Sequence, residues 1–386
     1  MADDLAFGAG PAPAFDGRID TATGDDPVVA TLVAHQTLLR AYQARYVVLP
    51  ETLPGASVVE AMARHYAPDR LRALTEARPT LETRLIGPLA AQADAAEPKT
   101  DVLAYIDHLL TELRSVNSDA VLDRIDGHPR AEAHYRNFLV QSSADLLAEA
   151  SASALGVIGE CGAPQSALFR ILIDEFGYGT HDRKHAVLYR STLRSFGLDD
   201  AYNRYWPLFD GPTLALHNTI HWLFQNPANF FRQIGFLLFA ETAYQRSTLC
   251  HSRFLARAFP KADARYFTEH AHIDLHHTRM VIDEVVVPLL DRFGPEIGQE
   301  IVRGAELTRL VFRLAGDNAV ALVGAFDAAG GDARYGLEAV EGGRLVSPAG
   351  AGIRGRVQVG AIGTVSARTF GAFPVHAVGR LVEVAT

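Results

Sequence analysis

Within residues 264–290 the chain carries His270, His272, Asp274, His276 and His277. Imidazole nitrogens and carboxylate oxygens are the donors that hold first-row transition metals, so what matters is which of these residues share a helix face. At about 100° per residue, His270, Asp274 and His277 fall within an arc of roughly 60°. The same face carries Tyr266, Phe267, Val281 and Val285, which are core-like residues. His-x3-Asp-x2-His is therefore either a metal-binding face or a buried, hydrogen-bonded polar cluster. A rival face holds Glu269, His272 and His276, mimicking the Glu-x-x-His spacing of di-iron bundles. Its neighbours Arg265, Thr268, Arg279 and Asp283 give it the character of a solvated stripe.

Other carboxylates sit in settings that demand a partner. Glu241 shares a helix face with Ile234, Leu237 and Leu238, where a bare charge is costly unless it meets an arginine or a metal ion. Glu175 closes an amphipathic helix and His185 lies just inside the next one. Gly177 and Gly179 supply the reversal that turns both side chains toward one point. His181 competes with His185, but it stands at the helix start before a capping Asp182. Glu149 lies on a helix expected over 131–160 among Ala148, Ala150, Ala152 and Ser153, small neighbours that leave room for a ligand. Asp145 or Glu160 could serve in its place.

The elements that must position these groups are mainly helical. Residues 1–26 are rich in Ala, Gly, Pro and Asp and read as a mobile leader. Residues 27–127 read as an N-terminal helical subdomain, with helical pattern at 28–48 and 101–116 and breaks at Pro50, Pro54, Pro88 and Pro98. Residues 128–326 read as long helices with short breaks, the pattern of a bundle. The composition of 327–386 shifts to Gly, Val, Ala and Arg in short alternating runs, and a small β-rich appendage is expected there.

With 36 Lys and Arg against 45 Asp and Glu, the net charge is −9 and no basic stripe appears, which argues against nucleic acid. The two cysteines, Cys161 and Cys250, lack CxxC spacing, so neither a thiolate zinc site nor a disulfide framework is indicated. The first residues lack signal-peptide character and the run 234–240 is far too short to span a bilayer. A cytoplasmic protein off the membrane is expected.

In this order, Glu149, Glu175 and His185, Glu241, then His270, Asp274 and His277, the residues over 131–290 resemble the haem-oxygenase-like di-iron oxidases and oxygenases, a family of iron-containing redox enzymes. That resemblance implies a haem-oxygenase-like bundle at 128–326, two iron ions held by those three histidines and four carboxylates, O2 as cosubstrate, an external electron donor and a peroxo-diferric oxidant. The full ligand set looks most like the amine-N-oxygenating branch, in which Glu241 is the additional, catalytically decisive carboxylate. One member of that branch also carries a C-terminal cupin with its own iron. The tail here has one histidine, His376, and no second reaction is expected from it.

The implied activity is N-oxygenation of a small amine or amino-acid-derived substrate in specialised metabolism. Two alternatives stand beside it: desaturation, cyclisation or C–C cleavage of an amino or fatty acid by the same centre, and a non-catalytic iron-binding bundle. A reductase and a second copy of the chain are the macromolecular partners left open. For substrate contacts the sequence offers His217 and His221, four apart on one helix, and Arg246. Trp206, Trp222, Tyr178, Tyr189 and Arg190 complete the polar and aromatic candidates.

Overall fold

The computed structural model describes residues 27–49, 57–95, 101–202, 205 and 209–328, together with short strands between 334 and 383. The leader expected at 1–26, Trp206 and most of the β-rich segment expected at 327–386 lie outside the described residues. Within that segment, Ala361–Val365 pairs antiparallel with Pro374–Ala377.

The described fold is mainly helical. The N-terminal part comprises α1 (Pro27–Gln43), α2 (Val58–His65), α3 (Pro68–Leu85), α4 (Gly87–Asp94), α5 (Val102–Ser115) and α6 (Ala120–Ile125). The bundle follows with α7 (Ala131–Leu146), α8 (Ser151–Gly156), α9 (Ala163–Glu175), α10 (His185–Ser195), α11 (Gly211–Gln225), α12 (Phe230–Ala258) and α13 (Arg265–Met280). A π-helical turn (Val281–Val286), α14 (Val287–Phe293) and α15 (Glu296–Ala328) complete it. Aspartates start three of these helices by accepting backbone N–H bonds: Asp101 from Ala104 at 3.0 Å, Asp119 from Val121 at 2.9 Å, and Asp210 from Thr213 at 2.8 Å. No helix among the described residues is long and apolar enough to cross a membrane.

The long α12 is the spine, packing along both α13 and α15. Its contact with α15 depends on glycine. A Cβ on Gly235 would overlap the Ile301 carbonyl, and one on Gly304 would overlap the Arg232 carbonyl, so the two backbones touch directly. The N-terminal helices lie against the bundle: α1 packs on α11, where the Asn218 side chain donates to the His35 carbonyl at 2.9 Å. α5 packs on α12.

Two local departures from the sequence expectation bear on the site. The helix expected over 131–160 is broken. α7 ends at Leu146, and Ala150 takes a left-handed conformation (φ 64°) before α8 begins. The helix expected through 264–290 is interrupted by the π turn just ahead of Pro288. Proline has no N–H to continue the α-helical ladder, and the wider turn absorbs the mismatch. Val281 and Val285 stay buried across it.

Candidate metal centre

On α13, His270, Asp274 and His277 are buried, with 4, 1 and 0 % of their surface exposed, whereas His272 and His276 face outward. The inward face runs between two apolar cores. Tyr266 and Phe267 belong to the one that contains Tyr135 and Tyr189, and Met280 and Val281 to the one that contains Leu168 and Phe236. The three ligand-type side chains therefore emerge where the cores meet.

Helices α9 and α10 bring the next pair. Glu175 is the last residue of α9 and His185 the first of α10. Between them Gly177, Tyr178 and Gly179 all have positive φ (69°, 55° and 76°), and that reversal sets His185 Nδ1 2.7 Å from Glu175 Oε2. His181 stays in the short turn His181–Arg183 and is exposed. Lys184, not Asp182, precedes the first residue of α10, and no side chain caps that helix. Glu149 comes from the break after α7, not from a helix. The left-handed Ala150 beside it ends the old helical direction, and Glu149 Oε1 comes to 3.2 Å from His270 Nε2. Glu241, from the apolar middle of α12, places Oε2 3.2 Å from His277 Nδ1.

These side chains form two groups in which every ligand atom lies within 4.8 Å of the others: Glu149, Glu175, His185 and His270, and then Glu175, Asp274 and His277. Glu175 belongs to both. One carboxylate has two oxygens, and a bridging carboxylate between two cations is the simplest arrangement that uses them. Glu241 stands outside the second group as defined but touches its histidine.

The electrostatics of the protein alone show what such a cluster lacks. Both Asp274 oxygens and Glu149 Oε2 are buried with no hydrogen-bond partner among the described residues. Burial, reinforced by Glu241 and Glu175, pushes the Asp274 carboxyl well above the usual carboxylate range. Burial also opposes charge on Glu175, yet His185, His270 and His277 hold it down to about 2. For His270 and His277 desolvation is outweighed by carboxylates. Glu149 and Asp274 raise His270 well above its ordinary value, and Glu241 and Glu175 lift His277 to about 10. The cluster thus draws in protons to offset its negative charge. Four carboxylates with three neutral imidazoles carry a charge that two divalent cations would balance, so the donor set fits two metal ions.

Several contacts orient these candidate ligands, and the sequence singled out none of them in that role. Tyr266, four residues before His270, donates its hydroxyl to Glu149 Oε1 at 2.7 Å, and its carbonyl lies 3.0 Å from His270 Nδ1. Asp174, the neighbour of Glu175, reaches His277 Nε2 at 3.1 Å. Because His277 Nδ1 faces Glu241, Glu175 and Asp274, Nε2 is its outer nitrogen, and Asp174 fixes the ring as outer carboxylates fix metal-bound imidazoles. Asp145, named as a substitute for Glu149, instead stands beside it. Burial, together with Glu149 and Glu175, raises its carboxyl to about 7. Glu160 binds the Gly162 backbone N–H at 2.9 Å in an exposed turn.

A cavity of about 240 Å³ adjoins the centre and shares Asp145 and Tyr244 with it. Of the residues proposed for substrate contact, His217 lines this cavity. His221 is not brought there. It stacks on Tyr42 at 5.3 Å, and its Nδ1 lies 3.3 Å from the Tyr46 hydroxyl. Arg246 binds the Val116 carbonyl at 2.8 Å and the Asn117 side chain, joining α12 to the end of α5. Tyr189 is buried and donates to the Leu139 carbonyl at 2.6 Å, Tyr178 is exposed, Arg190 lines a separate cavity, and Trp222 packs against the apolar core.

Comparison with known proteins agrees with a redox metal centre. Residues 136–311 match the family model described as iron-containing redox enzyme. Over 290 residues the chain is 36 % identical to the nitrosourea synthase of Streptomyces achromogenes subsp. streptozoticus, an alignment that takes in 74 % of this chain and 61 % of that relative. The chain therefore spans about three-fifths of the length of the curated relative it matches.

Proposed function

We propose, from the match of residues 136–311 to the iron-containing redox enzymes, that the bundle has a haem-oxygenase-like fold and that its centre is a non-haem di-iron oxygenase that transfers oxygen to the nitrogen of a small amine. The observation that carries the proposal is the position of Glu175 in both ligand groups. Glu149, His185 and His270 would hold one iron and Asp274, His277 and Glu241 the other, with Glu175 between them. Two irons so held would supply electrons for O2 activation and a Lewis-acidic site. The name of the relative, nitrosourea synthase, denotes a product with an oxidised nitrogen, which favours nitrogen over carbon as the site of reaction.

The protein's own share is placement and protection. Tyr266 and Asp174 fix the rings and carboxylates before substrate arrives, so little reorganisation accompanies the reaction. Tyr244 and Asp145 form the boundary between centre and cavity, so an amine entering the cavity meets a carboxylate before it meets metal. Phe138, Phe267 and Phe312 wall that path and limit water. Conversion of R–NH2 and O2 to R–NHOH and water consumes two electrons and two protons, hence an external donor is needed.

The test is anaerobic loading of the full chain with ferrous iron, addition of amines and a reductant, and an O2 pulse followed by mass spectrometry. A hydroxylamine or a more oxidised nitrogen product supports the reading. Desaturated, cyclised or cleaved carbon products replace it with C–H or C–C oxidation, and iron loading without O2 consumption leaves an iron-binding protein.

A further inference from the structure

The cavity beside the centre is lined by α7, α11, α12, α13 and α15 and by Asp119 and Val121 at the start of α6. Its described lining includes Asp119, Asp145 and Asp210 but neither lysine nor arginine. Asp210 is engaged, capping α11 and accepting from Asn318 at 2.9 Å. Asp145 lies deep in the bundle yet keeps accessible surface because it faces the cavity, and its charged neighbours are the carboxylates Glu149 and Glu175.

Two further buried atoms of the lining are acceptors as well. Asn137 Oδ1 is buried without a partner among the described residues, and so is His217 Nδ1. His217 gives its other nitrogen's proton to the Gln141 carbonyl, and burial holds the ring neutral with its value lowered to about 3, which leaves Nδ1 a lone pair. Near the Asp119 side, His251 is stacked between Phe138 (4.5 Å) and Phe267 (5.0 Å), with its Nδ1 3.1 Å from the Tyr135 hydroxyl. Its Nε2 and Asp119 Oδ2 are 3.7 Å apart, too far for a direct hydrogen bond. Asp119 Oδ1 already accepts from the Val121 and Leu122 N–H groups, and against burial these bonds and His251 hold the carboxyl below its ordinary value, so a donor at this end would share Oδ2 with His251.

A chamber rich in acceptors, with no lysine or arginine among its described lining residues, repels a carboxylate and rewards a molecule with many N–H groups. We propose that this cavity is the substrate chamber and that it selects a cationic amine without a carboxylate, with one nitrogen beside Asp145 at the metal end and a second donor group on Asn137, His217 and the Asp119–His251 slot. The assignment rests on the oxygenase reading for its metal end, but binding can be measured without turnover.

Calorimetry under argon on the full-length, metal-loaded chain provides that measurement. The probes are 1,4-diaminobutane and its three- to six-carbon homologues, 1-butylamine, and 4-aminobutanoate. At least one diamine should bind about tenfold or more tighter than the aminobutanoate of matched length, with butylamine between them. Asn137→Leu and Asp145→Asn should each weaken the diamine about tenfold, with metal content checked by emission spectroscopy and folding by circular dichroism. Asn137 is no part of either ligand group, so its variant keeps the test open should Asp145→Asn disturb the metals. Equal or tighter binding of the aminobutanoate, no binding by any diamine, or diamine affinity unchanged in a folded Asn137→Leu chain would overturn the assignment. A diamine that binds as expected but gives no oxidised product counts against the oxygenase reading and leaves this one standing.

Discussion

Two sets of buried histidines, on neighbouring helices of one fold, behave in opposite ways. His35 on α1 and His217 and His221 on α11 are desolvated with no carboxylate to compensate, and burial lowers them to about 4, 3 and 3. His270 and His277 on α13 are at least as deeply buried, yet carboxylates override desolvation and raise both. Burial alone makes a histidine neutral and structural. A converging set of carboxylates makes the same residue part of a site that calls for cations.

The largest test of this contrast is removal of the shared carboxylate. Glu175→Ala should empty both positions, leaving a folded chain with almost no bound iron by emission spectroscopy. His270→Ala and His277→Ala should each lose about half, while His272→Ala and His276→Ala keep the full load. Full iron content in Glu175→Ala would remove the bridge from the account.

Stability against pH gives the next effect, because the two sets carry opposite signs. His35, His217 and His221 have folded values below the unfolded value of about 6.5, so as pH falls from there toward 4 the unfolded chain takes up protons that the folded chain refuses. Each should cost up to about 1.4 kcal/mol per pH unit across that window. In the metal-free chain His277 does the reverse. Its value is raised to about 10, so its stabilisation is complete below about 6.5 and is lost as pH rises toward 10. Urea titrations of the metal-free protein should show His35→Gln flattening the acid limb and His277→Gln the alkaline limb. One variant flattening both limbs would contradict the contrast.

A smaller effect is expected at Asp174. Asp174→Asn keeps the shape but removes the outer charge on His277, so iron should still bind, with affinity at one position reduced about 10- to 100-fold. Competition with a chelator measures this. An unchanged affinity would make the 3.1 Å contact with His277 structural only.

Much of the centre was legible in the sequence because helical period is a strong constraint. The face of His270, Asp274 and His277 follows from their spacing, and the Gly177–Gly179 reversal between Glu175 and His185 follows from glycine chemistry. What escaped depends on contacts between distant segments. No glycine or proline announces the break that frees Glu149, since its left-handed residue is Ala150. His221 looked available until Tyr42 and Tyr46 enclosed it, and Arg246 until Asn117 did. The outer residues Asp174 and Tyr266 were hidden by proximity, one read as the neighbour of a ligand and the other as core.

The central claim is that Glu175 joins two irons in one centre. Mössbauer spectroscopy of the full chain loaded with iron-57 and oxidised by O2 tests it most directly. The account predicts about two irons per chain in a single antiferromagnetically coupled, diamagnetic ferric pair, lost together in Glu175→Ala. One iron per chain, or two that remain magnetically independent, would contradict it.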